Sequence, residues 1–249
     1  MDSIENTKGV LIQNNNHLPT EQLILNGLYD KLIKHNFEYS ENIQLPYIMQ
    51  YLEDFNKDKN ESFCVSKERK KTGMSTGYLI DSLDPEKSNN SSLVVMNKET
   101  YDVLGVLTFR YDQFSSEDHE YDNSIYIDSF CTNQQMPIPG IGKLLLTSII
   151  EATTELGVID NIFLKAASQS SEGFYEKFDF RFTGLIDDKM KEYKYSIYGD
   201  PDSQDEERRM GGKRTIKHKR KIKRRTNKKK NTKKRYRNTN TKRKYNRKI

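Results

Sequence analysis

Apolar side chains recur at helical spacing early in the chain. Between Pro19 and Asn36, Leu25, Leu28, Tyr29, Leu32 and Ile33 fall on one side, which predicts a helix. A second stretch opens at Pro46, with Ile48, Leu52 and Phe55 on one side. The period then changes. "LVVM" at 93 and "YDVLGVLTFRY" at 101 are β-rich runs separated by the polar "NKET", the pattern of a hairpin. "SIYIDSFCT" at 124 reads as a third strand, in which Tyr126, Asp128 and Phe130 share one face and Ile125 and Ile127 the other. Helical spacing returns after "PIPGIGK": Leu145, Ile149, Ala152 and Leu156 form a stripe that Gly157 ends. "NIFLKAA" is another strand, "SSEGFYEKF" a short helix and "KEYKYSIY" a last strand. This order predicts a mixed α/β domain with a strand, loop, helix, strand crossover at its centre.

Charge divides the chain. Of 42 Lys and Arg, 23 fall between Arg208 and the end, where there is no Asp or Glu. Residues 1–207 keep 19 basic against all 36 acidic side chains, a net −17 beside a tail of +23. The tail has almost nothing apolar to set against the entropy of ordering, and is expected to be disordered. The polar start, with "NNN" at 14–16, reads as a loose amino-terminal arm over 1–19. The expected organisation is therefore an arm over 1–19, one domain over 20–199, and a linker with basic tail over 200–249. Cys64 and Cys131, 67 positions apart, make neither a disulfide framework nor a zinc site, and a reducing compartment is the simpler setting. No segment approaches the roughly 18 consecutive apolar residues of a membrane span, and the start lacks a signal-peptide core. A soluble intracellular protein, cytoplasmic or nuclear and not secreted, is expected, with no membrane partner and no metal.

The loop "PIPGIGKLLL" at 137–146 raises the question of a ligand. A glycine-rich turn that opens a helix suits a nucleoside triphosphate, a dinucleotide or the pyrophosphate of coenzyme A, or merely turns the chain. The P-loop pattern fails at Pro137, where its first glycine belongs, and at Leu144, where a Ser or Thr should bind magnesium. The dinucleotide fingerprint fails at Leu145, in the place of its third glycine. What remains is a helix amino terminus able to receive an anion, with Gly140 and Gly142 allowing close backbone approach and Lys143 adding charge.

At this point the residues resemble a family. "IYIDSFCTNQQMPIPGIGKLLL" is similar, at matching length, to the strand, loop and helix of the GCN5-related N-acetyltransferases, and "SQSSEGFYEKFDF" to that family's second signature, with a strand between them. The resemblance covers about residues 20–198 and is strongest over 93–182. The sequence departs from the pattern at Pro137, where Arg or Gln is usual, at Pro139, which removes a loop N–H, at Ser168 in place of Asn, and at Asp179 in place of Gly.

The resemblance implies a mixed, mostly antiparallel sheet and transfer of an acetyl group from acetyl-CoA to an amine. The loop, with Ile138, Gly140, Ile141, Gly142 and Lys143, would hold the pyrophosphate, and the strand edge at Phe130, Cys131 and Thr132 would pair with the pantetheine arm. Tyr175 would protonate the departing thiolate, and Asp128 is the base candidate of the central strand. The acidic body favours a cationic acceptor such as a lysine side chain, a protein amino terminus or a polyamine.

The tail, residues 208–249, is expected to bind nucleic acid through phosphate contacts or to direct nuclear import, and in composition it is similar in style to tails of giant DNA virus proteins. The alternative is a nucleic-acid-binding protein whose acetyltransferase-like domain is inert.

Overall fold

The computed structural model describes residues 4–14, 16–35, 37–40, 44–57, 62–65, 74–112, 115–116, 119–120, 123–166 and 168–199. In chain order the elements are β1 (Thr7–Ile12), α1 (Pro19–Lys34), β2 (Phe37–Tyr39), α2 (Gln44–Lys57), α3 (Thr76–Leu83), β3 (Ser91–Asn97), β4 (Val103–Asp112), β5 (Ser115–Ser116), β6 (His119–Glu120), β7 (Ser124–Thr132), α4 (Ile141–Leu156), β8 (Asn161–Ala166), α5 (Gln169–Tyr175), β9 (Arg181–Asp187) and β10 (Met190–Ser196). Eight strands form one sheet in the order β2-β1-β3-β4-β7-β8-β10-β9, and β5 pairs with β6 apart from it. Only the β1–β2 and β7–β8 pairs are parallel. The other five neighbours in the sheet are antiparallel, so the sheet is mixed and mostly antiparallel.

Helices cover both faces. Leu25, Leu28, Tyr29 and Leu32 of α1 pack with Leu145, Ile149 and Ala152 of α4 against Leu93, Leu107 and Ile125. On the opposite face Ile48 and Leu52 of α2 and Leu79 and Leu83 of α3 pack with Phe63 against Val10, Val94 and Val106. Coverage on both sides explains why β3 is buried at every position and carries the unbroken apolar run 93–96.

The amino-terminal residues depart from expectation. Residues 7–12 form β1, paired on both sides, with Val10 and Leu11 buried, and not part of a loose arm. Sheet hydrogen bonds and both cores outweigh the polar surroundings that hid the strand. The proposed linker and tail, residues 200–249, lie outside the described residues. Among the described residues no helix is long and apolar enough to cross a membrane.

Candidate active-site cleft

The cleft begins where two parallel strands part. β7 and β8 are paired only over Ser124–Ile127 and Asn161–Leu164. Past that point β7 runs on to Thr132 and stays bonded to β4 on its other side, with Leu107 opposite Phe130, Val106 opposite Cys131 and Gly105 opposite Thr132. The backbone of Phe130–Thr132 thus presents an open strand edge inside the sheet.

The parting coincides with a bulge. Ser129 faces Thr108 and Ile127 faces Phe109, which leaves Asp128 without a partner on β4. A bulge bends and twists its strand. Its polar groups are provided for: the Ser129 N–H donates to Thr108 Oγ1 at 3.0 Å, and the two hydroxyls lie 2.7 Å apart.

The bulge also resets the alternation of faces. Ile125, Ile127 and Phe130 all pack on the core beneath α1 and α4, while Cys131 packs on the opposite one. Phe130 therefore does not share a face with Tyr126 and Asp128 as simple alternation predicts.

A cavity of about 460 Å³ fills the opening. Of the residues proposed from sequence, Asp128, Phe130, Cys131, Thr132, Ile138, Gly140, Gly142, Lys143 and Tyr175 line it. Ile141 does not. Its side chain is 1 % exposed and packs in the core. A methyl group on Gly105 would come within 2.6 Å of its Cγ2, so the first helical position faces the sheet and only its backbone belongs to the loop.

The loop is built by specific bonds. Asn133 is fully buried; its N–H donates to Leu104 O at 2.8 Å and its Nδ2 to Val103 O at 3.0 Å. Its Oδ1 accepts the N–H groups of Gln135 and Met136, turning the chain away from the strand. Gly140 precedes α4 with φ +94°, a conformation that favours glycine, and any Cβ there would lie 2.5 Å from Ile4 Cδ1. Leu144 is the first residue bonded back to the Gly140 carbonyl, at 2.8 Å, so the N–H groups of Gly142 and Lys143 precede the helical ladder.

At Gly142 an added Cβ would meet Phe130, Thr132 and Phe174 at 3.4, 3.5 and 3.7 Å, ordinary contact distances at the cavity wall. Alanine therefore fits there, and leucine has to occupy ligand space. Gly142→Leu is expected to weaken binding of acetyl-CoA, the ligand that the sequence resemblance implies, by at least about tenfold in calorimetry, with Gly142→Ala nearer to wild type; equal affinity in the leucine variant would take the ligand away from this wall.

Tyr175 closes α5. Its ring is 6 % exposed and lies 6.2, 5.7, 6.1 and 6.4 Å between centroids from Phe130, Phe174, Phe180 and Tyr193. Burial pushes its phenol well above the ordinary value, so it stays protonated through neutral pH. α5 is held by its Ser168 cap, which accepts the Ser171 N–H at 3.3 Å, and by Lys191, whose Nζ lies 2.7 Å from Glu172 Oε2. Burial and the carboxylates of Glu172 and Glu176 push the neighbouring Tyr193 up to about 12. Asp179, where a glycine belongs in the family pattern, keeps a left-handed φ of 64°.

Asp128 stands in a polar cluster on the α3 side. Oδ1 accepts from Tyr78 Oη at 3.0 Å and Arg110 at 3.4 Å; Oδ2 accepts from Ser82 Oγ at 2.7 Å and Asn90 Nδ2 at 3.2 Å. Four donors thus occupy the lone pairs of both oxygens. Burial, then Asp128 itself, raises the Tyr78 phenol.

Sequence reasoning missed several wall residues. Leu164 and Lys165 of β8, Ser171 and Phe174 of α5, and Cys64, Val65 and Met74 also line the cavity. The first four were within reach, since the crossover puts β8 and α5 beside the loop; the stretch around Cys64 carries no sequence signal. Cys64 and Cys131, read from spacing as no disulfide framework, are joined by a disulfide with Cα atoms 5.4 Å apart. Spacing says nothing of a proximity created by folding. Among the described residues no group of three or more His, Cys, Asp or Glu is placed to hold a metal ion.

Neither a scan against protein-family models nor a search of curated proteins gave a match. Among solved structures, the fold is similar to PH1933 from Pyrococcus horikoshii OT3, at 20% identity and TM-score 0.36 over 42% of this chain; the chain spans 64% of that one. It is similar to a mutant form of the AtaT toxin, solved with the carboxyl terminus of the antitoxin AtaR and acetyl-CoA, at 13% identity and TM-score 0.37 over 44% of this chain and 69% of that one. It is also similar to Arabidopsis thaliana NAA60 in complex with a bisubstrate analogue, at 14% identity and TM-score 0.42 over 61% of this chain and 93% of that one. Similarity at this level concerns the arrangement of elements, and the chemistry has to come from the cleft.

Proposed function

We propose that this cleft transfers an acetyl group from acetyl-CoA to an amine. The observation that carries the reading is the continuity of three features around one cavity: the open β7 edge at Phe130–Thr132, the unladdered N–H groups of Gly142 and Lys143, and the buried phenol of Tyr175. Strand edge and helix terminus together suit a molecule with an extended amide-bearing arm that ends in a pyrophosphate. The β7 edge supplies backbone groups to the two amides of such an arm, and Lys143 with the helix terminus faces the phosphate charge. The residues resembling the N-acetyltransferase signatures are the same ones that build this cradle.

Acetyl-CoA supplies the activated thioester; the chain supplies placement and protons. Tyr175, neutral at physiological pH, donates to the sulfur as negative charge develops there. Asp128 accepts the amine's surplus proton only by giving up one of its four hydrogen bonds, one of which comes from the Arg110 guanidinium that offsets its charge. The net charge of −17 over residues 1–207 acts at longer range and favours cationic acceptors such as lysine side chains, protein amino termini or polyamines. The +23 tail is assigned to nucleic-acid phosphates or nuclear import by its charge alone.

Titration of the full chain with acetyl-CoA tests the reading. Saturable heat below millimolar ligand is expected, and no heat at millimolar concentration removes the donor site. Pro137 and Pro139, which lower the number of loop N–H donors, favour the second reading of an inert domain. Binding without acetyl transfer to any cationic amine would support it.

A further inference from the structure

The disulfide lies in the wall of the cleft. Cys64 and Cys131 both line the cavity, and both are only partly buried. Cys131 stands on the open edge of β7 between Phe130 and Thr132, the stretch assigned above to the donor's arm. Cys64 belongs to the described stretch 62–65, which is bonded to Gln134 and Gln135 just past the end of that strand.

The ties of this stretch are unevenly placed. The Gln134 N–H donates to Phe63 O at 2.9 Å and Gln135 Nε2 to Ser62 O at 3.2 Å. The Phe63 N–H donates to Thr76 Oγ1 at 3.1 Å, and its ring is fully buried between α2 and α3. Ser62 and Phe63 are thus fixed without sulfur. Among the described residues, the disulfide is the one bond by which Cys64 and Val65 are attached to β7.

We propose that Cys64–Cys131 is a reversible redox latch on this cleft, a thiol-exchange site that a low-molecular-weight thiol reaches through the cavity. The effect on donor affinity rests on the acetyl-CoA reading; the exchange chemistry and the loosening of the wall do not. A thiolate RS⁻ attacks one cysteine sulfur, the S–S bond breaks, and the other cysteine leaves as a thiolate. A second RS⁻ attacks the mixed disulfide, releasing the remaining cysteine thiolate and RSSR. Two thiols of the reductant are oxidised and two protein thiols are formed, each taking a proton from water.

In the bonded state the wall formed by Cys64 and Val65 is in place before the donor arrives. In the dithiol state, binding also has to order that wall, so affinity falls. Coupling is reciprocal: a ligand that prefers the bonded state makes the disulfide harder to reduce by the same factor.

The test uses the full chain equilibrated in mixtures of glutathione and glutathione disulfide. Iodoacetamide labelling and intact mass count free thiols, and calorimetry gives the acetyl-CoA Kd at each end of the series. Labelling is expected to rise from none to two thiols, with acetyl-CoA bound about tenfold more weakly in the dithiol state. Saturating acetyl-CoA should move the labelling midpoint about tenfold towards more reducing mixtures. The double variant Cys64→Ser, Cys131→Ser is expected to bind like the dithiol state and to ignore glutathione.

Two labelled thiols in every mixture, or one Kd throughout, would overturn the latch. If neither state binds acetyl-CoA, the donor reading fails while the latch is still decided by amide hydrogen exchange. Faster exchange at Cys64 and Val65 on reduction supports it, and unchanged exchange there overturns it.

Discussion

Replacing Tyr175 with phenylalanine is expected to lower turnover about a hundredfold while changing acetyl-CoA affinity by no more than about twofold. The ring is packed by Phe130, Phe174, Phe180 and Tyr193, and phenylalanine keeps those contacts. Among the described residues no group takes the hydroxyl's proton, so its removal leaves no stranded partner. Burial holds the phenol protonated, which the proposed proton transfer to a departing thiolate requires. Single-turnover measurement at saturating acetyl-CoA isolates that step. An unchanged rate with chemistry limiting would return Tyr175 to the core. Alanine is the uninformative choice, since emptying this position is expected to cost about 3–5 kcal/mol of stability.

The cleft was more legible than the frame that makes it. Two glycines, a preceding strand and a following apolar stripe located the loop, because a close backbone approach has few other residue types to use. The same stripe, counted one turn back from Leu145, reaches Ile141 and places its side chain against the sheet, which leaves its backbone as the part that the ligand-binding expectation rests on.

β1 escaped notice because "TKGVLI" is short and flanked by polar residues, although its backbone is bonded on both edges. α3 has only eight residues, and β9 is an edge strand interrupted by Gly184, so neither offers enough periods to count. The bulge at Asp128 is beyond periodicity altogether. An extra residue in one strand is defined by its partner, and a single sequence does not show which residues face each other. Yet that bulge coincides with the point where β7 and β8 part, and it turns Phe130 toward the α1 and α4 side.

Removing residues 208–249 is expected to abolish binding to DNA or RNA while leaving acetyl-CoA binding intact. These residues lie outside the described part of the chain, so the expectation rests on charge. The segment carries 23 of the 42 basic side chains and no acidic one, while the rest, at −17, repels phosphate. With Asn and Thr interleaved and no helical stripe in its sequence, the segment is expected to displace counterions rather than to read bases. Full-length binding should therefore ignore sequence and fall about a thousandfold between about 50 and 200 mM salt if about six phosphates are neutralised. Both chains measured on two unrelated duplexes across that range decide the matter. Salt-resistant binding, or strong preference for one duplex, would place recognition on a folded surface. Loss of acetyl-CoA binding by the full chain at low salt, restored by truncation, would instead mean that the tail engages the acidic body and competes with the donor.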